Sequence, residues 1–215
     1  MKVVKTLLGS DVVVTCLGEE LFVLHKRAVN QVEVYSTNTY NPLRQFSIDG
    51  LDIVELNDMI SCAQLNCLYI SDFNSTCIHK SKPSGEIIAR WPVPVEPLGL
   101  SLTPSNNLLA ACPGSCTLLE LCSKSGKCIR QVELQSPIQY PLHAMQLPNR
   151  HYFLSHTDGD DLYQVCVIDV DGHVSSSDGN QPVVDVTQLN DLYHVTTDQH
   201  DFILSATARS TELCC

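Results

Sequence analysis

A sentence of four short strands recurs along this chain, and the recurrence limits the fold more than any other feature. Its clearest copy includes Leu68–Trp91, LYISDFNSTCIHKSKPSGEIIARW. That stretch reads as an apolar strand, a polar turn, a second strand, a turn closed by Gly85 and a third strand. MISCA (Met59–Ala63) supplies the strand in front. Other copies run VVVTC, LFVLH, QVEVY, LRQFSI (from Val12 to Ile48) and LGLSL, LLAAC, LLELC, CIRQVEL (from Leu98 to Leu134). The repeats span 12–48, 59–91, 98–134, 142–176 and, incompletely, 192–215. Their second strands begin at Leu21, Leu68, Leu108, Tyr152 and Phe202, at intervals of 47, 40, 44 and 50 residues.

A period of about 40–50 residues carrying four strands is that of a propeller blade. One blade has two apolar faces and cannot bury them alone, so neighbours must stack. Coverage on both faces also explains why alternation within the strands is imperfect. No segment carries a helical apolar stripe, and the nearest candidate, Leu51–Ile60, is short. The chain therefore reads as all-β: a β-propeller of four-stranded antiparallel blades, about four to five of them, in one domain over 1–215. Closed propellers hold about 4–8 blades. The last repeat stops after Phe202–Ala206, which would leave an open edge. The expectation is a segment of a longer, six-bladed ring. The alternative is a five-bladed ring closed by Val3–Leu8 against the C-terminal strands.

Charge and cysteine content narrow the partners and the compartment. Acidic residues outnumber basic ones by 24 to 13, for a formal charge of -11. Such a surface repels phosphate backbones, so nucleic acid is disfavoured as a partner. Lys124, Lys127 and Arg130 lie close together, but Glu120 and Glu133 flank them, as on a solvated strand edge. The run Val3–Leu8 is broken by Lys5 and followed by Asp11, so it has no apolar core of a signal peptide. No window reaches the roughly 20 apolar residues of a membrane span. These features point to the cytoplasm. There the 11 cysteines read as free thiols that are mostly buried, with Cys16, Cys62, Cys112, Cys122, Cys128 and Cys166 at apolar strand positions.

Several clusters carry residue types that could do chemistry. Cys112, Cys116, Cys122 and Cys128 have three, five and five residues between them, not the tight knuckles of structural zinc. They read as strand and turn thiols, as do Cys62, Cys67 and Cys77. The acidic turn Asp158–Asp161 lacks the spaced oxygens of a calcium loop. Asp169–Gly172 reads as a hairpin turn, since Asp-Gly supplies positive φ. Asn74-Ser-Thr76 matches a glycosylation sequon but reads as a turn asparagine. Cys214–Cys215 does not form a prenylation motif. His143 and His194 occupy equivalent repeat positions. No nucleophile elbow is present. No catalytic, cofactor-binding or metal-ligating residue is assigned from the sequence, and no cofactor is expected.

The second copy resembles an NHL repeat. Leu68-Tyr-Ile-Ser-Asp-Phe-Asn74 followed by Ile78 matches its run of apolar residues, a small residue (Ser71), an aspartate (Asp72) and an asparagine, with Gly85 at the turn. The third and fourth copies keep the apolar frame and Gly126 and Gly172. Cys112 and His156 stand where the aspartate belongs, and the first copy has His25 there. The resemblance implies a six-bladed propeller similar to the C-terminal propellers of tripartite-motif ubiquitin ligases. It implies a non-catalytic protein-interaction role, with an unidentified protein partner recruited as substrate. The alternative class is a metal-dependent lactonase similar to the gluconolactonases, which hold a divalent metal with Glu, Asn and Asp. No such ligand set transfers onto positions of this chain.

Overall fold

The computed structural model describes residues 12–25, 31–48, 56–157 and 163–175, and the backbone of 192–197 and 203–207. The chain divides into two compact units, 1–96 and 97–215. The first holds two four-stranded antiparallel sheets. Blade 1 is β1 (Val12–Leu17), β2 (Glu20–His25), β3 (Gln31–Ser36) and β4 (Pro42–Ser47). Blade 2 is β5 (Leu56–Cys62), β6 (Cys67–Asp72), β7 (Cys77–Ser81) and β8 (Ile87–Pro92). In each, every strand pairs with the next one in sequence.

The second unit repeats the plan. Blade 3 is β9 (Leu100–Leu102), β10 (Leu108–Cys112), β11 (Thr117–Leu121) and β12 (Cys128–Glu133). Blade 4 is β13 (Tyr140–Gln146), β14 (Tyr152–Thr157) and β15 (Tyr163–Ile168), with an isolated bridge from Ile168 to Val174. β16 (Leu192–Thr197) and β17 (Ile203–Thr207) form a two-stranded sheet. The all-β, blade-by-blade architecture is the one the repeats predict. The rest of the fifth repeat, the acidic turn at 158–161 and Cys214–Cys215 lie outside the described residues. Residues 56–60 of the nearest helical candidate are strand, and 51–55 lie outside the description.

The two larger cores each join two consecutive sheets. In the first unit Val13, Phe22, Leu24 and Val34 of blade 1 cluster with Leu56, Met59, Leu68 and Ile70 of blade 2. In the second, Leu109, Ala111, Leu118 and Val132 of blade 3 cluster with Ala144, Tyr152, Leu154 and Ile168 of blade 4. Each fully buried large apolar side chain contributes about 1.5–3 kcal/mol, so a blade without its neighbour forfeits most of its stability.

The turn glycines lock these sheets together. Gly85 has φ +95 and Gly172 has φ +85, which L side chains avoid. A Cβ at Gly85 would run into the Phe46 ring from β4. A Cβ at Gly172 would run into the carbonyl oxygen of Glu133 at the end of β12. An arginine on the outer strand repeats the clasp. Arg44 Nη2 donates to the Pro83 carbonyl at 3.1 Å, and Arg130 Nη2 donates to the Val170 carbonyl. Pro83 and Val170 each stand two residues before their turn glycine.

One expectation is corrected. Cys16 and Cys128 are exposed rather than buried, and Cys116, Cys122 and Cys166 are only partly covered. In β1 the inward positions are Val13 and Leu17, which turns Cys16 outward. Cys128 opens the outer strand β12, where only Val132 faces the core.

Candidate functional site

Blade 2 carries a polar cluster inside its two central strands. Asp72 ends β6 and lies directly opposite Cys77, the first residue of β7. His79 follows two residues later, so strand alternation returns it to the face of Cys77. Asp72 and His79 are fully buried, and Cys77 retains 3% exposure. His79 Nε2 lies 3.1 Å from Asp72 Oδ2 and 3.3 Å from Cys77 Sγ. The thiol sulfur lies 3.9 Å from the same carboxylate oxygen. Asp72 Oδ1 accepts the backbone N–H of Ser75 at 3.0 Å and so also braces the turn between the strands. That turn needs a brace, because Thr76 within it holds φ +46.

The electrostatics keep the thiol and the imidazole of this cluster uncharged. Burial pushes the Cys77 thiol up to about 11, and the Asp72 charge adds to the shift. Burial holds His79 below the ordinary imidazole range, outweighing the hydrogen bond to Asp72 that would raise it. At neutral pH the thiol keeps its proton and the imidazole is uncharged. A thiol is a weak nucleophile compared with its thiolate. Both contacts also converge on one ring nitrogen, whereas a catalytic relay uses the two nitrogens separately. His79 Nδ1, buried, has no hydrogen-bond partner among the described residues. The arrangement is therefore not that of an activated cysteine nucleophile.

Its donor set does suit a borderline divalent cation. Thiolate sulfur, imidazole nitrogen and carboxylate oxygen are the ligands zinc takes. Two features oppose binding. Arg90 on β8 pairs with His79 and brings a positive charge close by. A cation on Nε2 would also move the ring proton to the unpartnered Nδ1, at about 1–3 kcal/mol. That cost is small beside the roughly 10–16 kcal/mol of a fully ligated structural zinc site.

The cysteine runs considered in the sequence behave differently. Cys112 Sγ donates to the Ala110 carbonyl at 3.9 Å, Cys116 Sγ to the Ile138 carbonyl at 3.2 Å and Cys128 Sγ to the Arg130 carbonyl at 3.6 Å. Among the described residues only Asp72, Cys77 and His79 bring three potential metal donors together. Asp169 forms the expected hairpin turn: its Oδ1 accepts the N–H groups of Asp171 and His173 at 2.9 and 3.0 Å. His143 is buried with Nε2 2.9 Å from the Leu100 carbonyl. Asn74 sits in the turn after β6. The side chain of His194 lies outside the description. A search for paired cysteines misses the Asp72 cluster because its donors are of mixed type. The usable signal was Cys-x-His alternating on one strand, behind an aspartate that ends the strand before it.

A second feature repeats on the outer strands. The pairing of β3 with β4 runs Val34 to Arg44, then Tyr35 to Pro42, which leaves Leu43 unpaired in a bulge. β7 with β8 skips Ile88, and β11 with β12 skips Ile129. Each skipped residue is the second of its strand and a large aliphatic. Their exposures are 52%, 46% and 53%.

No family model matches the chain, and no curated protein matches its sequence. Solved structures do match. The hydrazine synthase of Kuenenia stuttgartiensis aligns with a TM-score of 0.67 at 16% identity, over 95% of this chain and 58% of that one. Virginiamycin B lyase from Staphylococcus aureus aligns with a TM-score of 0.64 at 12% identity, over 90% and 62%. The WD40 propeller domain of Doa1 aligns with a TM-score of 0.62 at 9% identity, over 91% and 60%. The chain thus spans about three fifths of the length of these structures. At such identities the likeness establishes the β-propeller fold and carries no activity with it. No helix among the described residues is long and apolar enough to cross a membrane.

Proposed function

We propose that this chain is a non-catalytic propeller segment that binds a protein partner through the outer strands of its blades. The observation that carries the reading is the repeated bulge with its exposed aliphatic, Leu43, Ile88 and Ile129. A bulge on an edge strand blunts strand-to-strand aggregation. It does not require an apolar side chain, and a lysine would serve the edge better. A leucine or isoleucine at the same place in three blades offers contact area to another protein. The net charge of -11 supports a protein rather than a nucleic acid as that partner. The match of Leu68–Asn74 to the NHL pattern supports the finer reading, a substrate-recruiting module of the tripartite-motif kind. No observation favours the lactonase alternative.

The test compares the wild-type chain with the Leu43→Ser/Ile88→Ser/Ile129→Ser variant by crosslinking in cells and mass spectrometry. The reading expects a defined partner that the wild type captures and the variant loses, with the thermal melt nearly unchanged. Equal capture by both would refute these strands as the binding surface.

A further inference from the structure

We propose that Asp72, Cys77 and His79 form a site for a single divalent cation of the zinc class, held inside blade 2. This inference is independent of the partner-binding reading. Its first support is metric. The three donor atoms are 3.1, 3.3 and 3.9 Å apart. A triangle with those sides has a circumradius of about 2.0 Å, so one point lies about 2.0 Å from all three atoms, close to zinc bond lengths of about 2.0–2.3 Å. A cation slightly out of that plane lengthens the bonds toward the sulfur value and leaves a fourth position for water or a carbonyl.

Its second support is burial of chemistry that the fold does not need. Three donors of mixed type, Asp72, Cys77 and His79, converge at nearly complete burial, and no other described residues bring three such donors together. Blade 3 places Cys112, Thr117 and Leu119 at the same register positions and closes without the triad. Binding would proceed by exchange. The cation takes lone pairs from Oδ2, Nε2 and Sγ, the thiol proton leaves to solvent, and the Nε2 proton is replaced by one on Nδ1. No electron transfer is involved. A soft or borderline metal fits this set, and magnesium, which favours oxygen ligands, does not.

The experiment uses the full chain, metal-stripped and reduced, with zinc chloride, magnesium chloride and cobalt chloride as probes. Zinc is expected to bind one to one and to raise the melting temperature, while magnesium does neither. Cobalt is expected to give a thiolate charge-transfer band. Cys77→Ser should abolish that band and weaken zinc binding at least tenfold. Cys16→Ser/Cys128→Ser, which removes the two thiols that are exposed among the described residues, should keep both. X-ray absorption of the cobalt-loaded wild type provides a readout that needs no variant. It should find one sulfur and one imidazole around the metal. No stoichiometric zinc, a shell without sulfur or with two sulfurs, or a band that survives Cys77→Ser would each overturn the proposal.

Discussion

Blades 2 and 3 lay the same pair of central strands in the same register and fill it with different chemistry. β6 and β7 are buried at every position, and so are β10 and β11 except at Glu120. Asp72 faces Cys77 in one blade, and Cys112 faces Thr117 in the other. Two residues along the third strand stand His79 and Leu119. Blade 2 adds Lys80, whose ammonium lies 5.6 Å from the Tyr69 ring and 5.7 Å from the Trp91 ring. Blade 3 answers with Leu108, Leu109, Leu118 and Leu121. Blade 1 has an intermediate version: His25 and Glu33 form a pair at 3.3 Å with the roles reversed and the side chains about a third exposed. The comparison teaches that the frame tolerates apolar, half-exposed and buried polar fillings. The fold therefore does not demand the triad of blade 2, and that blade is where function is worth seeking.

The comparison can be broken most severely at its matched ends. Asp72→Ala strips the turn of its brace and leaves His79 Nε2 with only the weak sulfur of Cys77 as its partner. Leaving a buried neutral polar group poorly satisfied costs about 1–3 kcal/mol, and the lost turn brace adds to that. Cys112→Ala, at the equivalent position, removes one sulfur and is expected to cost about 1 kcal/mol. Urea denaturation of both variants should separate them, and equal losses would mean that the contacts of Asp72 with His79 and Ser75 add nothing to stability.

A transplant sharpens the same point. Asp72→Cys/Cys77→Thr/His79→Leu writes the filling of blade 3 into blade 2. Replacing a buried polar group by packed apolar residues is often neutral, so the triple variant should stay within about 1.5 kcal/mol of wild type. His79→Leu alone should lose more, because Asp72 Oδ2 stays buried without its donor. Additive losses across the three positions would show that the residues act independently.

A smaller effect follows from pH. His79 sits below the ordinary imidazole range because of burial. The unfolded chain therefore takes up a proton that the folded chain resists. The associated stability is complete above about 6.5 and falls away as the pH drops below it. Wild type minus His79→Gln, measured by denaturation above and below that value, should carry a loss of stability on the acid side. A difference that does not change with pH would place the imidazole in a wetter setting. The smallest effect is expected on the outer strands, where Leu43→Ser, Ile88→Ser or Ile129→Ser should each shift stability by no more than about 0.5 kcal/mol.

The propeller plan was legible because its causes are local. Strand runs of the right length, turn asparagines and the glycines at 85, 126 and 172 recur at a blade's interval, and each glycine adopts the positive φ its turn requires. Asp72 was legible as the distinctive residue of its repeat. Its partnership with Cys77 and His79 was not, since that depends on the pairing of β6 with β7 and mixes three donor types. The outward turn of Cys16 and Cys128 was hidden for a related reason: a strand names two faces but not which one is covered.

The sequence by itself determined the all-β character, the blade period, the turn positions and the acidic charge, all of which depend on residues near one another in the chain. Only the tertiary structure decided register, and register is a property of a pair of strands rather than of either one. A slip of one residue would send His79 to the opposite face from Asp72. The same pairing left Leu43, Ile88 and Ile129 unmatched on the outer strands, where solvent rather than a neighbouring strand receives them.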